Sequence, residues 1–187
     1  MPVISVTLLP GYDEGTEERL VQRLALAARS VIAAPAAGTT SFVMHANTYQ
    51  RDGRVVRKGG APHPDASALV GDFLARVEAR ELDAARQLLA PGFVMRFPGG
   101  ALMTRLEELL AWARERYQRV AKRIERIDES WGDGVTTVHC SGTLHGVLLD
   151  GFAFEGVRFI DRFEVVGGLI LRQEVWNDLA EVRPRAV

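Results

Sequence analysis

The sequence predicts an α+β protein in two parts. A βαβ unit over residues 1–60 is followed, over 65–187, by a cone-shaped α+β barrel with a curved antiparallel sheet and packed helices. Three observations predict this. Two short apolar runs, 3–9 and 39–47, flank a helical pattern in the first part. In the second part helical patterns come first and strand patterns follow, the order of a segregated α+β domain. Between them, Lys58-Gly59-Gly60-Ala61-Pro62-His63-Pro64 breaks every periodicity with two glycines and two prolines, as a linker does.

In the first part, residues 3–9 are apolar and β-branched, which predicts a strand. Pro10-Gly11-Tyr12-Asp13 reads as a turn. Leu20, Val21, Leu24, Ala27, Ala28 and Val31 then recur at helical spacing. Glu14, Glu17 and Glu18 sit in the first turns, where the helix dipole favours acids. Pro35 and Gly38 mark the helix end, and 39–47 returns as a strand. A strand, a helix and a second strand imply a parallel crossover. So short a unit buries little core alone, so assembly with further copies into a homo-oligomer is expected.

In the second part, Asp65 is the expected N-cap of a helix whose apolar stripe is Ala66, Leu69, Val70, Phe73, Leu74 and Val77. A shorter helix over 82–89 is closed by Pro91-Gly92, and 93–97 is a strand. Thr104-Arg105-Leu106-Glu107 has the form of a capping box and opens a helix to about residue 117. Strands are expected over 119–131, 135–148, 154–166 and 169–178, the last two joined by the two-residue turn Gly167-Gly168.

Bulk properties narrow the class. The 187 residues are 47% hydrophobic and 25% charged, with a net charge of −1, which argues for a globular chain and against nucleic acid as a partner. The single cysteine, Cys140, excludes an internal disulfide framework and suits a reducing compartment. No apolar run reaches membrane-spanning length, and the start lacks the pattern of a signal peptide, so a cytoplasmic protein with no membrane partner is expected. No phosphate loop, dinucleotide fingerprint, serine elbow or metal-ligand spacing is visible, so the reading includes neither cofactor nor metal.

Pro2 is the first candidate catalytic residue. Aminopeptidases readily remove Met1 ahead of a small residue, which would leave Pro2 a secondary amine at the head of a strand. Desolvation and nearby cations tune such an amine toward neutrality, as a general base requires. Pro2 after Met1, the strand 3–9, Gly11, the acidic helix start and Ala34-Pro35 together resemble the 4-oxalocrotonate tautomerase family over residues 1–60. The resemblance implies proton transfer on a small enol-keto compound by the terminal proline, in a trimer-based ring. The family's arginine after the glycine is here Tyr12, and a phenol does not replace a bidentate guanidinium at equal value. Tyr49 is the candidate aromatic wall. Arg51, with Arg54 and Arg57, either supplies the missing charge or belongs to a solvated basic hairpin.

The second part offers a pocket. If Gly167-Gly168 is a plain two-residue turn, Asp161 lies opposite Glu174 and Phe159 opposite Trp176. Phe159, Asp161, Phe163, Glu174, Trp176 and Asp178 then share the concave face with Arg172, provided no bulge flips the parity. A carboxylate set among aromatic rings on a concave face makes Asp161 the candidate acid/base; an ion pair with Arg158 or Arg172 is the structural alternative. His139 is a candidate proton shuttle, Phe97 a candidate wall, and Trp112 and Tyr117 candidates for closing the mouth. The helix 69–77, the strand Phe93-Val94-Met95-Arg96-Phe97 and the tail from Phe159-Ile160-Asp161 to Trp176-Asn177-Asp178 resemble the SnoaL-like branch of the nuclear-transport-factor-2-like superfamily over 65–187. That resemblance implies a cone fold and a small-molecule carbonyl or enol substrate, handled by cyclase, isomerase or hydratase chemistry. The alternative is a non-catalytic small-molecule-binding protein whose first part only drives oligomerisation.

Overall fold

A computed structural model describes residues 1–182. The chain divides into two compact units, Met1–Pro62 and His63–Val187.

In the front unit, β1 (Val3–Leu8) and β2 (Thr40–His45) pair in parallel, with Val3 beside Thr40 and Leu8 beside His45. Between them runs α1 (Glu14–Val31). Asp13 caps it: one carboxylate oxygen accepts from the Thr16 amide at 2.8 Å and the other from the Thr16 hydroxyl at 2.9 Å. That amide bond is the main reason the Asp13 carboxyl is held below its usual range. The helix stops at Val31, earlier than Pro35 and Gly38 would set, because Ile32 is already extended. A hairpin of β3 (Tyr49–Arg51) and β4 (Arg54–Val56) follows.

Alternation along β1 puts Ile4, Val6 and Leu8 on its better covered side and Val3, Ser5 and Thr7 on the open one. Phe42 and Met44 of β2 fall beside Ser5 and Thr7, so the open face carries three exposed apolar side chains. Among the described residues of this unit, only Gly38 is buried.

The rear unit begins with α2 (Ala66–Glu78) and α3 (Leu82–Arg86). Asp65 caps α2 by accepting from the Ala68 amide at 3.1 Å. The strands are β5 (Leu89–Phe97), β6 (Ala101–Met103), β7 (Tyr117–Gly132), β8 (Val135–Leu148), β9 (Ala153–Val166) and β10 (Leu169–Asn177). α4 (Leu106–Arg114) lies between β6 and β7, and α5 (Leu179–Val182) ends the described chain. The strand order is β6-β5-β10-β9-β8-β7. β10 runs parallel to β5, so the sheet is mixed and not purely antiparallel as expected.

Three local expectations are corrected. Pro91-Gly92 does not precede β5 but lies inside it. The chain advances from Leu89 to Val94 while β10 advances only from Ile170 to Arg172, and the surplus bulges out around Gly92, whose φ is 79°. The cap of α4 falls one residue later than Thr104 with Glu107. Glu108 accepts from the Thr104 and Arg105 amides, while Glu107 binds Arg86 at 2.5 Å. The helix ends at Arg114, so Tyr117 opens β7 instead.

One core lies between the helices and the sheet. Phe73 of α2 meets Phe93 and Phe163 edge-on, at 6.3 and 6.1 Å between ring centres. A second cluster gathers Leu144, Leu148, Phe154, Val157 and Phe159. Register shifts at Ile124/Arg126 and Leu144/Gly146 bend β7 and β8. A side chain at Gly142 or Gly146 would strike the Arg123 or Arg119 carbonyl, so the bend depends on both glycines.

Candidate functional site

Asp161 is fully buried in the middle of β9. Across the sheet it faces Cys140 of β8 and Val175 of β10, not Glu174. The reason lies beside the predicted turn. Gly167-Gly168 does form it, both residues having positive φ, and Leu169 and Ile170 pair as expected with Val166 and Val165. Arg172 then pairs with Glu164, so Leu171 is an extra residue and the parity of the rest of β10 flips. Gln173 and Val175 therefore turn inward beside Asp161. Glu174 and Trp176 turn to the opposite face, where Glu174 binds Arg162 at 3.3 Å and Trp176 is half exposed. Neither belongs to the cavity face assigned to it from sequence.

The partner of Asp161 is Lys122 of β7, whose ammonium donates to Oδ2. The arginines considered from sequence are engaged elsewhere: Arg158 binds Asp178 at 2.7 Å, and Arg172 lies 3.4 Å from Glu164. The Gln173 amide donates to the same Oδ2 at 3.1 Å. Asp161 Oδ1 and Gln173 Oε1 are buried with no partner among the described residues. The Lys122 ammonium also lies 4.8 Å from the centre of the Phe159 ring, so the charge has a carboxylate and an aromatic face as neighbours.

This group adjoins a cavity of about 280 Å³. Lys122 and Gln173 line it; Asp161 lies behind them and is not part of the wall. Phe97, Trp112 and Tyr117 form an aromatic side, Phe97–Trp112 at 5.2 Å and Trp112–Tyr117 at 6.2 Å between ring centres. The Trp112 indole N–H is buried without a partner among the described residues. Desolvation pushes the Tyr117 phenol above its ordinary value, and the neighbouring Arg116 charge opposes that shift. Glu78 and Arg80 are the remaining charged residues of the lining.

The other candidates fall outside this cavity. Phe163 is fully buried core against Phe73, and Phe159 lies beneath the Lys122 ammonium. His139 faces away from Asp161, because its neighbour Cys140 takes the inward position; His139 stands between Asp128 and Arg162 on the other face. Cys140 is a buried packed residue whose thiol is pushed up to about 12, by burial first and by the Asp161 charge second.

In the front unit, Pro2 is joined to Met1, which is 92% exposed, and its carbonyl accepts from the Thr40 amide at 3.1 Å. Tyr12 does not face a binding site. Its ring packs under Gly59, where a methyl group would come within 2.5 Å of it, and its hydroxyl accepts from the Gly60 amide at 3.0 Å. Tyr49 is exposed, and Arg51, three-quarters exposed, lies 3.8 Å from Asp52: a solvated hairpin.

The residue that sequence reasoning missed is Lys122. The signal was there: Val120, Lys122 and Ile124 share one parity, so a lysine stands on the apolar side of a strand whose other side is charged. Among the described residues no cluster of three or more His, Cys, Asp or Glu side chains is placed to hold a metal, and no helix is long and apolar enough to cross a membrane.

Comparison with known proteins places the rear unit. The SnoaL-like domain profile matches residues 70–173. Among solved structures, an NTF2-like protein of unknown function from Burkholderia pseudomallei superposes with a TM-score of 0.53 at 17% identity, covering 61% of this chain and 91% of that one. TerC, co-crystallised with polyporic acid, gives 0.52 at 17% identity, over 61% of this chain and 92% of its own. An NTF2-like protein from Burkholderia thailandensis gives 0.52 at 20% identity, over 63% and 97%. No curated protein matches the chain.

Proposed function

The chain belongs to the SnoaL-like family, and from that premise we propose that its rear unit binds a small, largely apolar carbonyl or enol compound and moves a proton on it. The observation that carries this reading is a buried carboxylate, Asp161, paired to an ammonium that lines an aromatic-walled cavity. A proton leaving carbon next to a carbonyl leaves negative charge on oxygen. An ammonium held in an apolar cavity stabilises that charge far better than water does. Asp161 lies behind Lys122, so the proton moves by relay: one ammonium proton passes to Asp161 Oδ2 as the Lys122 nitrogen takes the proton from carbon, and the reverse sequence returns it, chemistry of isomerase type. The co-crystallisation of TerC with polyporic acid agrees with an organic ligand for such a fold.

The test is deuterium exchange at the α-carbon of 2-tetralone in heavy water, followed by proton NMR. Wild type accelerates exchange, Asp161→Asn loses the acceleration, and Pro2→Ala keeps it. Unchanged acceleration in Asp161→Asn overturns the reading.

A second reading concerns Pro2. It directly precedes a strand paired in parallel with β2 across α1, as in the tautomerase resemblance, and the exposed Met1 leaves the bond between them open to removal. Once freed, Pro2 acts as a base on small enol-keto acids. With Tyr12 tied to Gly60 and Arg51 solvated, this site rests on the amine alone. Mass spectrometry for loss of Met1, and ketonisation rates of wild type against Pro2→Ala, test it; equal rates end it.

The alternative is non-catalytic ligand binding by the rear unit, with the front unit driving assembly into a homo-oligomer. The exposed Val3, Phe42 and Met44 on one sheet face favour the assembly part. Sedimentation of wild type against a Phe42→Ser/Met44→Ser variant tests it, and unchanged mass overturns it.

A further inference from the structure

The polar floor of the cavity says more about its ligand than the walls do, and this inference rests on the reading that the cavity binds a carbonyl or enol compound. Lys122 Nζ and the Gln173 amide nitrogen both donate to Asp161 Oδ2, so ammonium and amide stand side by side. The orientation of that amide is fixed by chemistry, because turning it over would set its oxygen against a carboxylate. Gln173 Oε1 is thus left as an acceptor, on a side chain 2% exposed in the cavity lining, with no partner among the described residues. An orphaned acceptor in such a place is costly unless something donates to it. Lys122 has three N–H donors, and Asp161 uses one. Lys122 and Gln173 are therefore neighbours in the lining, the one with N–H donors to spare and the other with a buried acceptor that has no partner among the described residues.

We propose that Lys122 and Gln173 clamp a single enolic or phenolic oxygen, so that the cavity takes an uncharged planar enol or phenol. Its hydroxyl donates to Gln173 Oε1 and its lone pair accepts from Lys122 Nζ. Lys122 is then the residue that touches the ligand, and Asp161 acts through it, holding the ammonium in place and exchanging a proton with it. A ligand carboxylate fits poorly, since the Asp161 charge already neutralises the ammonium and two anions would share one cation. An ether or ketone satisfies the donor but leaves Gln173 Oε1 orphaned.

The experiment is equilibrium dialysis of the full chain against four probes that share one ring system: 2-naphthol, 2-methoxynaphthalene, naphthalene and 2-naphthoate. Wild type binds 2-naphthol about tenfold or more tighter than each of the others, the size of one charge-assisted hydrogen bond. Gln173→Leu removes the preference over 2-methoxynaphthalene, and Lys122→Met reduces the preference over naphthalene to the share that the Gln173 bond supplies. If Lys122→Met fails to fold, Lys122→Met/Asp161→Asn, which deletes both charges, serves for the same comparison. Equal affinity of wild type for 2-naphthol and naphthalene overturns the clamp while leaving the cavity reading intact, as does tightest binding of 2-naphthoate. Retention of both preferences undiminished in the variants overturns it too. No binding of any probe overturns the clamp and the cavity reading together.

Discussion

The rear unit hides Phe73, Phe163, Met95, Ile170 and even a carboxylate completely from water, whereas among the described residues of the front unit only Gly38 is hidden. Both are built from helices and strands of ordinary apolar content. What separates them is layering. In the rear unit helices cover one face of a six-stranded sheet and bury it, while the paired Trp176 and Ile160 on the other face stay partly exposed. In the front unit a single helix and two strands leave Val3, Phe42 and Met44 open on the other sheet face. Only the rear unit is dry enough to make one ammonium and one carboxylate act strongly on a ligand. The front unit displays a surface that suits assembly.

That contrast can be broken by mutation. The largest expected effect is on packing: Phe73→Ala costs about 3–5 kcal/mol, whereas Val55→Ala on the exposed hairpin of the front unit changes stability by no more than about 0.5 kcal/mol. Urea unfolding measures both, and comparable losses would dissolve the distinction. Next comes charge. Lys122→Met leaves Asp161 buried and unpaired, at a cost of about 3 kcal/mol, and adding Asp161→Asn restores most of it. The same urea curves show whether the double variant recovers.

A smaller effect follows from Cys140. Its native thiol is pushed from 9.0 up to about 12, so it stays protonated where an unfolded chain's thiol ionises. A folded value above the unfolded one means a contribution that is full below pH 9.0 and fades as pH climbs toward 12. The stability gap between wild type and Cys140→Ala should therefore shrink as pH rises through 9.0 toward 12, by an amount limited to this one group, and a constant gap would contradict it. The smallest effect is in the front unit: Tyr12→Phe removes the acceptor of the Gly60 amide and costs about 0.5–1 kcal/mol, with faster amide exchange at Gly60 as its sign.

The outline of the rear unit was readable from sequence because its signals were local. Asp65 does cap α2, Gly167-Gly168 does turn the last hairpin, and Asp161, Phe159 and Phe163 do face inward. What stayed hidden was non-local. One extra residue, Leu171, reverses the faces of Glu174 and Trp176, and nothing near Leu171 announces it. The partner of Asp161 sits two strands away in Lys122, beyond the reach of pairing arguments made within one hairpin. In the front unit the helix and strands were legible from periodicity. The role of Tyr12 was not, because it depends on Gly59 and Gly60 folding back from the far end of the unit.

The most direct test is a crystal structure of the full chain soaked with 2-naphthol. The naphthol ring should lie between Phe97, Trp112 and Tyr117, with its oxygen within hydrogen-bond distance of Lys122 Nζ. An unoccupied rear cavity, with the compound instead beside Pro2, would contradict it.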